Sequence, residues 1–402
     1  MRVLCSVLGS PSHANEMRPV ARAMARAGHE ILVAVTPQLT NEFANDDTIR
    51  VTQALPDIVK IWQDILRSGK VPALTGTTMS DSSAVAKVMA GGPLIGETFP
   101  ALRSVAKEFR PDLMLRDGIE LSGCLVAEEL GIPHVSMPSG ASNTFDPEVV
   151  AMQLNERREA LGLPTKDDPL AIYCYGRLDC VPPRYSMAIE QLPDAITYQQ
   201  PITVNRDESL PTWITSLDPE KPLVFGAIGA AFSMANNLRD SGVDISVPVD
   251  PYAALRAVAG ALSELRCEGI LATGGLPVDN VQVAGHVRLV DRVPQPLLLQ
   301  CVQLFITHGG YNSIRETIRA GAPIVVTPLF GDQIHNAYRI TELGIGKRVT
   351  KQTSTEIAVT CQQVLADSAI IARARHAQRE MLALPHVTEI VGKLEALVDQ
   401  KC

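Results

Sequence analysis

Short apolar runs alternate with stretches of helical spacing along this chain. Val3 to Leu8 reads as a buried strand. Pro19 then stands where a first-turn proline belongs, and Val20, Ala23, Met24 and Ala27 follow at helical spacing. Gly28 is placed to cap that helix, and Ile31 to Val35 is the next apolar run. Strand, loop, helix, strand is the opening of a parallel α/β sheet. Pro111 to Leu115 and Pro133 to Met137 extend the sheet, with a helix from Leu121 to Leu130 between them. From 138 to 222 the pattern weakens and prolines cluster, which sets the domain boundary near 200–220.

A second α/β series begins at Leu223 to Ile228. Asp250-Pro251 opens a helix that runs to about Leu265. Gly269 to Thr273, Val287 to Val290, Leu304 to Thr307 and Ile324 to Thr327 read as strands. Helices are expected over Tyr311 to Ala320 and Gln333 to Leu343, and Thr353 with Glu356 resembles a capping box. Pro385 divides the last helical region. The fold class is therefore α/β, with two Rossmann-like parallel-sheet domains over 1–205 and 215–380. The tail, 381–402, is expected to pack back on the first domain. A ligand held in a cleft between the domains, near strand C-terminal ends, is the corresponding expectation.

Composition narrows the function. Of 402 residues, 46% are hydrophobic and 20% charged, as in a soluble globular protein, and the net charge of −8 disfavours a nucleic-acid binder. The longest uncharged apolar run, Pro222 to Asn237, contains glycines and is shorter than the roughly 18 residues of a bilayer span. The start of the chain lacks the long apolar stretch of a signal peptide. Eight cysteines without a CxxC pair read as reduced thiols in a cytoplasmic protein.

The chemistry concentrates in THGGYNSIRE, Thr307 to Glu316. A strand ends at Thr307, and Gly309 and Gly310 let the backbone come close to a ligand. The helix that follows presents unpaired N–H groups and the positive end of its dipole, a phosphate site. His308, Asn312 and Ser313 add side-chain donors. Glu316, one turn beyond Asn312, suits two neighbouring ribose hydroxyls. The whole reads as a cradle for a nucleoside diphosphate.

The stretch from His308 to Asn336 resembles the donor-binding signature of family 1 nucleotide-sugar glycosyltransferases of the GT-B fold, most of all the bacterial enzymes that decorate natural products. Weaker echoes include the N-terminal strand-loop-helix, Pro111-Asp112 to Asp117, Leu130 to Pro133, Arg158 to Pro164 and Leu289 to Leu298. The resemblance implies that His308, Gly309, Gly310, Asn312 and Ser313 hold the diphosphate and that Glu316 binds the ribose. It implies that Asp332 and Gln333 grip hydroxyls of the transferred sugar, although a helix cap followed by a solvated residue is the plainer reading of that pair. Arg292 stands where the family stacks an aromatic residue on the base, and either a stacked guanidinium or a surface arginine fits it. Backbone groups of Val293 would read the base edge. Ala230 follows Gly229 where related chains carry a phosphate-binding hydroxyl.

By the same resemblance His13 is the general base and Asp117 the carboxylate that orients it. Each could instead be an ordinary helix cap, and Glu16 is a competing carboxylate. Ser12 and Glu16 replace the family's glycine and proline around the histidine. No DxD triplet occurs, so the expectation is metal-independent, inverting transfer of a sugar from a TDP- or UDP-sugar co-substrate, with no further cofactor. The acceptor would be an apolar small molecule held by 55–100 and 138–195, where Trp62, Met79, Met89, Phe99, Met137, Phe145 and Met152 suit an aglycone or an ordinary core equally. Nucleic acid is not expected as a partner, and a homodimer is left open. The absence of any GxGxxG argues against an NAD-dependent oxidoreductase. A sugar-nucleotide epimerase of the same fold and a non-catalytic nucleotide-sugar-binding auxiliary are the alternatives.

Overall fold

The computed structural model describes residues 1–43, 46–57, 60, 61, 64, 82–202, 208–229, 250–278 and 281–400. Trp62, Met79 and Ala230 lie outside them. The chain divides into two compact units. The first takes the described residues up to 201 and those from 384 onward, and the second takes 202 to 383.

In the first unit five parallel strands lie in the order β3-β2-β1-β4-β5: Arg2–Val7 (β1), Glu30–Val35 (β2), Arg50–Thr52 (β3), Leu113–Arg116 (β4) and His134–Ser136 (β5). Central β1 pairs on both sides, Val3 facing Ile31 and Leu113. Leu4, Leu32, Ala34 and Met114 join one core with Phe99, Leu102 and Leu125. Phe99 and Leu102 come from the helix Gly92–Phe109, and Leu125 from Ser122–Leu130.

The first helix, Pro11–Arg26 (α1), starts eight residues before the expected site. Pro11, not Pro19, occupies the first turn, where a missing N–H costs nothing. Pro19 is inside the helix and cannot bond the carbonyl of Asn15 four residues back. Gln200 Nε2 donates to that carbonyl at 2.9 Å instead, which lets the helix run through. His13 is consequently a first-turn helix residue rather than a loop residue.

The weak region holds a full helix, Pro147–Leu161. Asp146 caps it, accepting from Glu148 N at 3.0 Å, and Gly162 ends it at φ +71°. Its buried stripe is Val150, Leu154 and Arg158, and the arginine hides the apolar period. Arg158 is 1% exposed and bonds both oxygens of Glu128 at 2.8 and 2.7 Å. Two short parallel strands, Leu178–Asp179 (β6) and Ile196–Thr197 (β7), follow. Of the aglycone candidates described, Met89, Phe99, Met137 and Phe145 are buried, whereas Met152 stands 56% exposed.

The second unit repeats the arrangement with six parallel strands in the order β10-β9-β8-β11-β12-β13. They are Leu223–Ala227 (β8), Glu268–Ala272 (β9), Val287–Val290 (β10), Leu304–Thr307 (β11), Ile324–Val326 (β12) and Gly346–Arg348 (β13). Phe225 and Phe305 stack at 4.9 Å on one face, while Val224 and Ile306 enter a core with the helix Pro251–Glu264 on the other. Asp250 caps that helix at Tyr252 N, 2.9 Å. Thr353 accepts from Glu356 N, but the capping box does not close. Glu356 accepts from Thr350 N and Oγ1, because the Thr353 N–H is already bonded to Lys351 O at 2.8 Å.

Beyond Pro385 the chain belongs to the first unit. Gln199 N donates to Pro385 O at 2.6 Å, and His29 Nε2 meets Glu395 Oε1 at 2.9 Å. Among the described residues six cysteines are free, but Cys174 is in a disulfide, so the all-reduced expectation fails there. Among the described residues no helix is long and apolar enough to cross a membrane.

Candidate functional site

Both units place their chemistry at the same topological point. The strand order reverses at β1/β4 and at β8/β11, the points at which open α/β sheets bind ligands beyond their strand ends.

In the first unit β1 gives way to Leu8 and Gly9, then to the first turn of α1, which carries His13. β4 gives way to Asp117. His13 Nδ1 lies 2.7 Å from Asp117 Oδ1. The other carboxylate oxygen accepts from the N–H groups of Leu8 at 3.2 Å and Gly9 at 3.1 Å, and Oδ1 also accepts from Ile119 N at 3.3 Å. Burial pushes the Asp117 carboxyl upward, but the charge and hydrogen bond of His13 and the N–H donors outweigh it, and the net displacement is downward. Gly9 is needed for this contact, since a Cβ there would stand 2.5 Å from the imidazole. In the tautomer with its proton on Nδ1, His13 donates to Asp117 and Nε2 is the basic nitrogen. The His13 side chain keeps 17% of its surface, while Asp117 is fully enclosed. The arrangement can accept a proton from a hydroxyl and stabilise the imidazolium that results.

In the second unit His308 follows β11 and is 8% exposed. Glycines flank its ring: a Cβ on Gly229 would stand 2.4 Å from it, and one on Gly310 2.5 Å. Gly229 has φ +82°, which glycine alone adopts freely. Gly309 has φ +87°, and a Cβ there would meet Val326 at 2.6 Å. Burial pushes the His308 pKa down to about 4, against a smaller upward pull from the Ala227 carbonyl, so the ring is neutral at pH 7. Gly310 is the N-cap of Tyr311–Ala320 and has no side chain to close the helix tip.

Asn312, Ser313 and Glu316 follow on the first turns. Asn312 Oδ1 accepts from Arg315 Nε at 2.6 Å. Gln295, absent from the sequence reading, donates from Nε2 to Glu316 Oε2 at 2.8 Å and reaches Ser313 Oγ at 3.5 Å. Burial raises the Glu316 carboxyl, against the Arg315 charge and the Gln295 hydrogen bond.

Asp332 begins the helix Asp332–Glu342, and its Oδ2 accepts from Asn336 Nδ2 at 2.9 Å. The same amide donates to Gly309 O at 2.9 Å, tying this helix to the glycine turn. Gln333 differs from the solvated residue of the plain reading. It is 3% exposed, and its Oε1 accepts from Leu329 N and Phe330 N at 3.0 and 3.3 Å. Only its NH2 end is left for a sugar hydroxyl. Arg292 is exposed after β10, and Val293 is half-buried against the core of that face. His308, Gly229, Gly309 and Gly310 are thus in direct contact, Ser313 and Glu316 are joined through Gln295, and Asp332 is joined through Asn336. Among the described residues no hydrogen bond or ion pair links Arg292 or Val293 to them. Among the described residues no three His, Cys, Asp or Glu side chains gather as a metal site.

A family model described as erythromycin biosynthesis protein CIII-like, N-terminal domain, matches residues 22–216, and its C-terminal counterpart matches 256–397. The aclacinomycin-T 2-deoxy-L-fucose transferase of Streptomyces galilaeus is 23% identical, covering 99% of this chain and 96% of its own. The elloramycin glycosyltransferase ElmGT of Streptomyces olivaceus is 26% identical, covering 98% and 97%. Among solved structures, the spinosyn rhamnosyltransferase SpnG complexed with thymidine diphosphate matches with a TM-score of 0.73 at 23% identity, covering 98% of this chain and 100% of that one.

Proposed function

Because the chain belongs to the EryCIII-like family 1 glycosyltransferases of bacterial natural-product biosynthesis and has their GT-B fold, we propose a specific reaction for it. A sugar passes from a TDP- or UDP-sugar to a hydroxyl of an apolar small-molecule acceptor, with inversion and without a metal. The observation that carries this reading is the 2.7 Å contact between His13 and the enclosed Asp117 at a sheet switch point.

In the proposed reaction the acceptor oxygen attacks C1 of the sugar as its proton passes to His13 Nε2. Asp117 stabilises the resulting imidazolium. The bond from C1 to the diphosphate oxygen breaks on the opposite face, so the configuration inverts. The leaving diphosphate keeps the electron pair, and its charge is met by the tip of Tyr311–Ala320 beside His308. Glu316, held by Gln295, takes the ribose hydroxyls, and Asp332 with the NH2 of Gln333 takes those of the sugar. TDP comes first among donors, because a structural neighbour binds it.

Thermal-shift titration with UDP, TDP, GDP, ADP and NAD on wild type and His308→Ala tests the donor half. A saturating ligand at about a hundred times its Kd stabilises by roughly 2.7 kcal/mol. A shift with TDP or UDP, lost in the variant, is expected. Mass spectrometry of wild type and His13→Ala with a TDP-sugar and a panel of polyketide aglycones tests the transfer. Undiminished transfer by His13→Ala removes the assigned base. Donor turnover without any acceptor favours the epimerase, and binding without turnover favours the auxiliary.

A further inference from the structure

Beneath the His13–Asp117 pair lies a second carboxylate with no part in the reaction so far. Glu120 follows Asp117 by three residues, and its N–H donates to the Asp117 carbonyl at 2.9 Å. It has no exposed surface. Ser6 Oγ donates to its Oε2 at 2.6 Å, Ser122 Oγ donates to Oε1, and Gly123 N stands 3.1 and 3.2 Å from its two oxygens.

Ser6 is bonded to both residues, to the side chain of Glu120 and to the backbone of Asp117. Its hydroxyl bonds Glu120, and its carbonyl accepts the N–H of Asp117 at 2.8 Å. It lies on β1 in register with Arg116 on β4. Arg116 is equally buried and donates to Gly118 O at 3.3 Å and Ile172 O at 3.1 Å. Burial raises the Glu120 carboxyl, the two serines and the Arg116 charge lower it, and the Asp117 charge raises it again. A carboxylate kept in such a place is costly unless its partners are fixed, and fixed partners hold the chain that carries them.

We propose that Glu120 is a positioning residue: by clamping the turn 117–123 to the end of β1, it sets the Asp117 carboxylate against His13. It touches no substrate itself. The inference rests on His13 and Asp117 being the working pair of the proposed reaction.

The test reads that pair directly. The His13 ring is titrated by NMR in wild type, Glu120→Gln and Glu120→Ala, with His13→Ala for assignment. A carboxylate in contact favours imidazolium, so loosening Asp117 lowers the titration midpoint of His13. Glu16, one turn along α1, is the same in all of these proteins. The midpoint is expected to fall in Glu120→Ala and to recover largely in Glu120→Gln, which keeps the shape and one oxygen. Ser6→Ala, a milder change, should move it the same way by less, and serves if Glu120→Ala does not fold. The kcat/KM for acceptor should fall about 10- to 100-fold with nucleotide Kd unchanged. A His13 midpoint identical in all folded variants overturns the inference, because a merely structural role would lower stability and leave the midpoint in place. A midpoint that moves in a protein showing no sugar transfer upholds the inference and removes the proposed reaction.

Discussion

Gly229→Ala puts one methyl group where the structure leaves no room. The new Cβ would stand 2.4 to 2.8 Å from three atoms of the His308 ring, on a residue with φ +82°. An L-residue in the left-handed region costs about 1–2 kcal/mol, and overpacking a filled site costs about 1–3 kcal/mol more. If the imidazole stays, the second unit loses stability by about 2–5 kcal/mol. If it swings away, the clash is relieved and the proposed hydrogen bond to the diphosphate is lost. Such a bond to a charged group is worth about 1.5–3 kcal/mol, or about 10- to 150-fold in Kd. Gly28→Ala is the control. Gly28 has φ +92° with no heavy atom within 4 Å of the added Cβ, so only the backbone cost applies. Calorimetric titration with TDP and UDP, alongside thermal unfolding, separates the outcomes. Gly229→Ala with a Kd within about twofold of wild type, and no less stable than Gly28→Ala, refutes the reasoning about the cradle.

Further predictions follow from three buried groups. Asp117→Asn should lower kcat by about 10²- to 10⁴-fold in a transfer assay, because the amide cannot hold His13 in the required tautomer. The folded-state pKa of Asp117 lies below its ordinary value, so its stabilising share is present above about pH 4 and lost as pH falls through the folded value. Acid unfolding of Asp117→Asn should lack that share. His308 runs the other way along the same axis. Its pKa falls from 6.5 to about 4 on folding, so the unfolded chain takes up its proton first and stability drops by about 3 kcal/mol between those values. Denaturant unfolding of the ligand-free protein at pH 7 and pH 4 should show this drop, and His308→Gln should remove it. Gln200→Ala leaves the Asn15 carbonyl without its partner and should lower stability by about 1–3 kcal/mol in urea titration, with no change in nucleotide Kd.

The two sheets were legible because their strands are short apolar runs and their helices end at glycines or begin at Asp-Pro. Tyr311–Ala320, bounded by Gly310 and Gly321, has the predicted limits. α1 was misplaced because two prolines competed for its first turn, and the one inside was tolerated only through Gln200, far along the chain. Pro147–Leu161 was missed although Asp146-Pro147 and Gly162 signal it, since Arg158 sits on its buried face. The candidate donor residues from His308 to Glu316 could be named because they are contiguous in sequence. Gln295 and Glu120 could not, since their meaning comes from partners that the fold brings near: Glu316 for the one, Ser6 for the other. RDGIE, Arg116 to Glu120, did carry a signal, as three charges directly after the apolar run Leu113 to Leu115 must be paired or functional.

The return of residues beyond 384 to the first unit makes the second unit an insertion within the first. During synthesis the first unit therefore cannot close when residue 201 leaves the ribosome. Its strands are all made by then, but the tail contacts must wait for the whole of 202–383 before Pro385 can take the Gln199 N–H and Glu395 can reach His29. The second unit, contiguous in sequence, can complete itself in that interval. For the engineer the same layout sets the cut: exchanging second units between such chains needs two junctions, near 201 and near 384, and a single-junction hybrid would bring a foreign tail to the unit that carries His13.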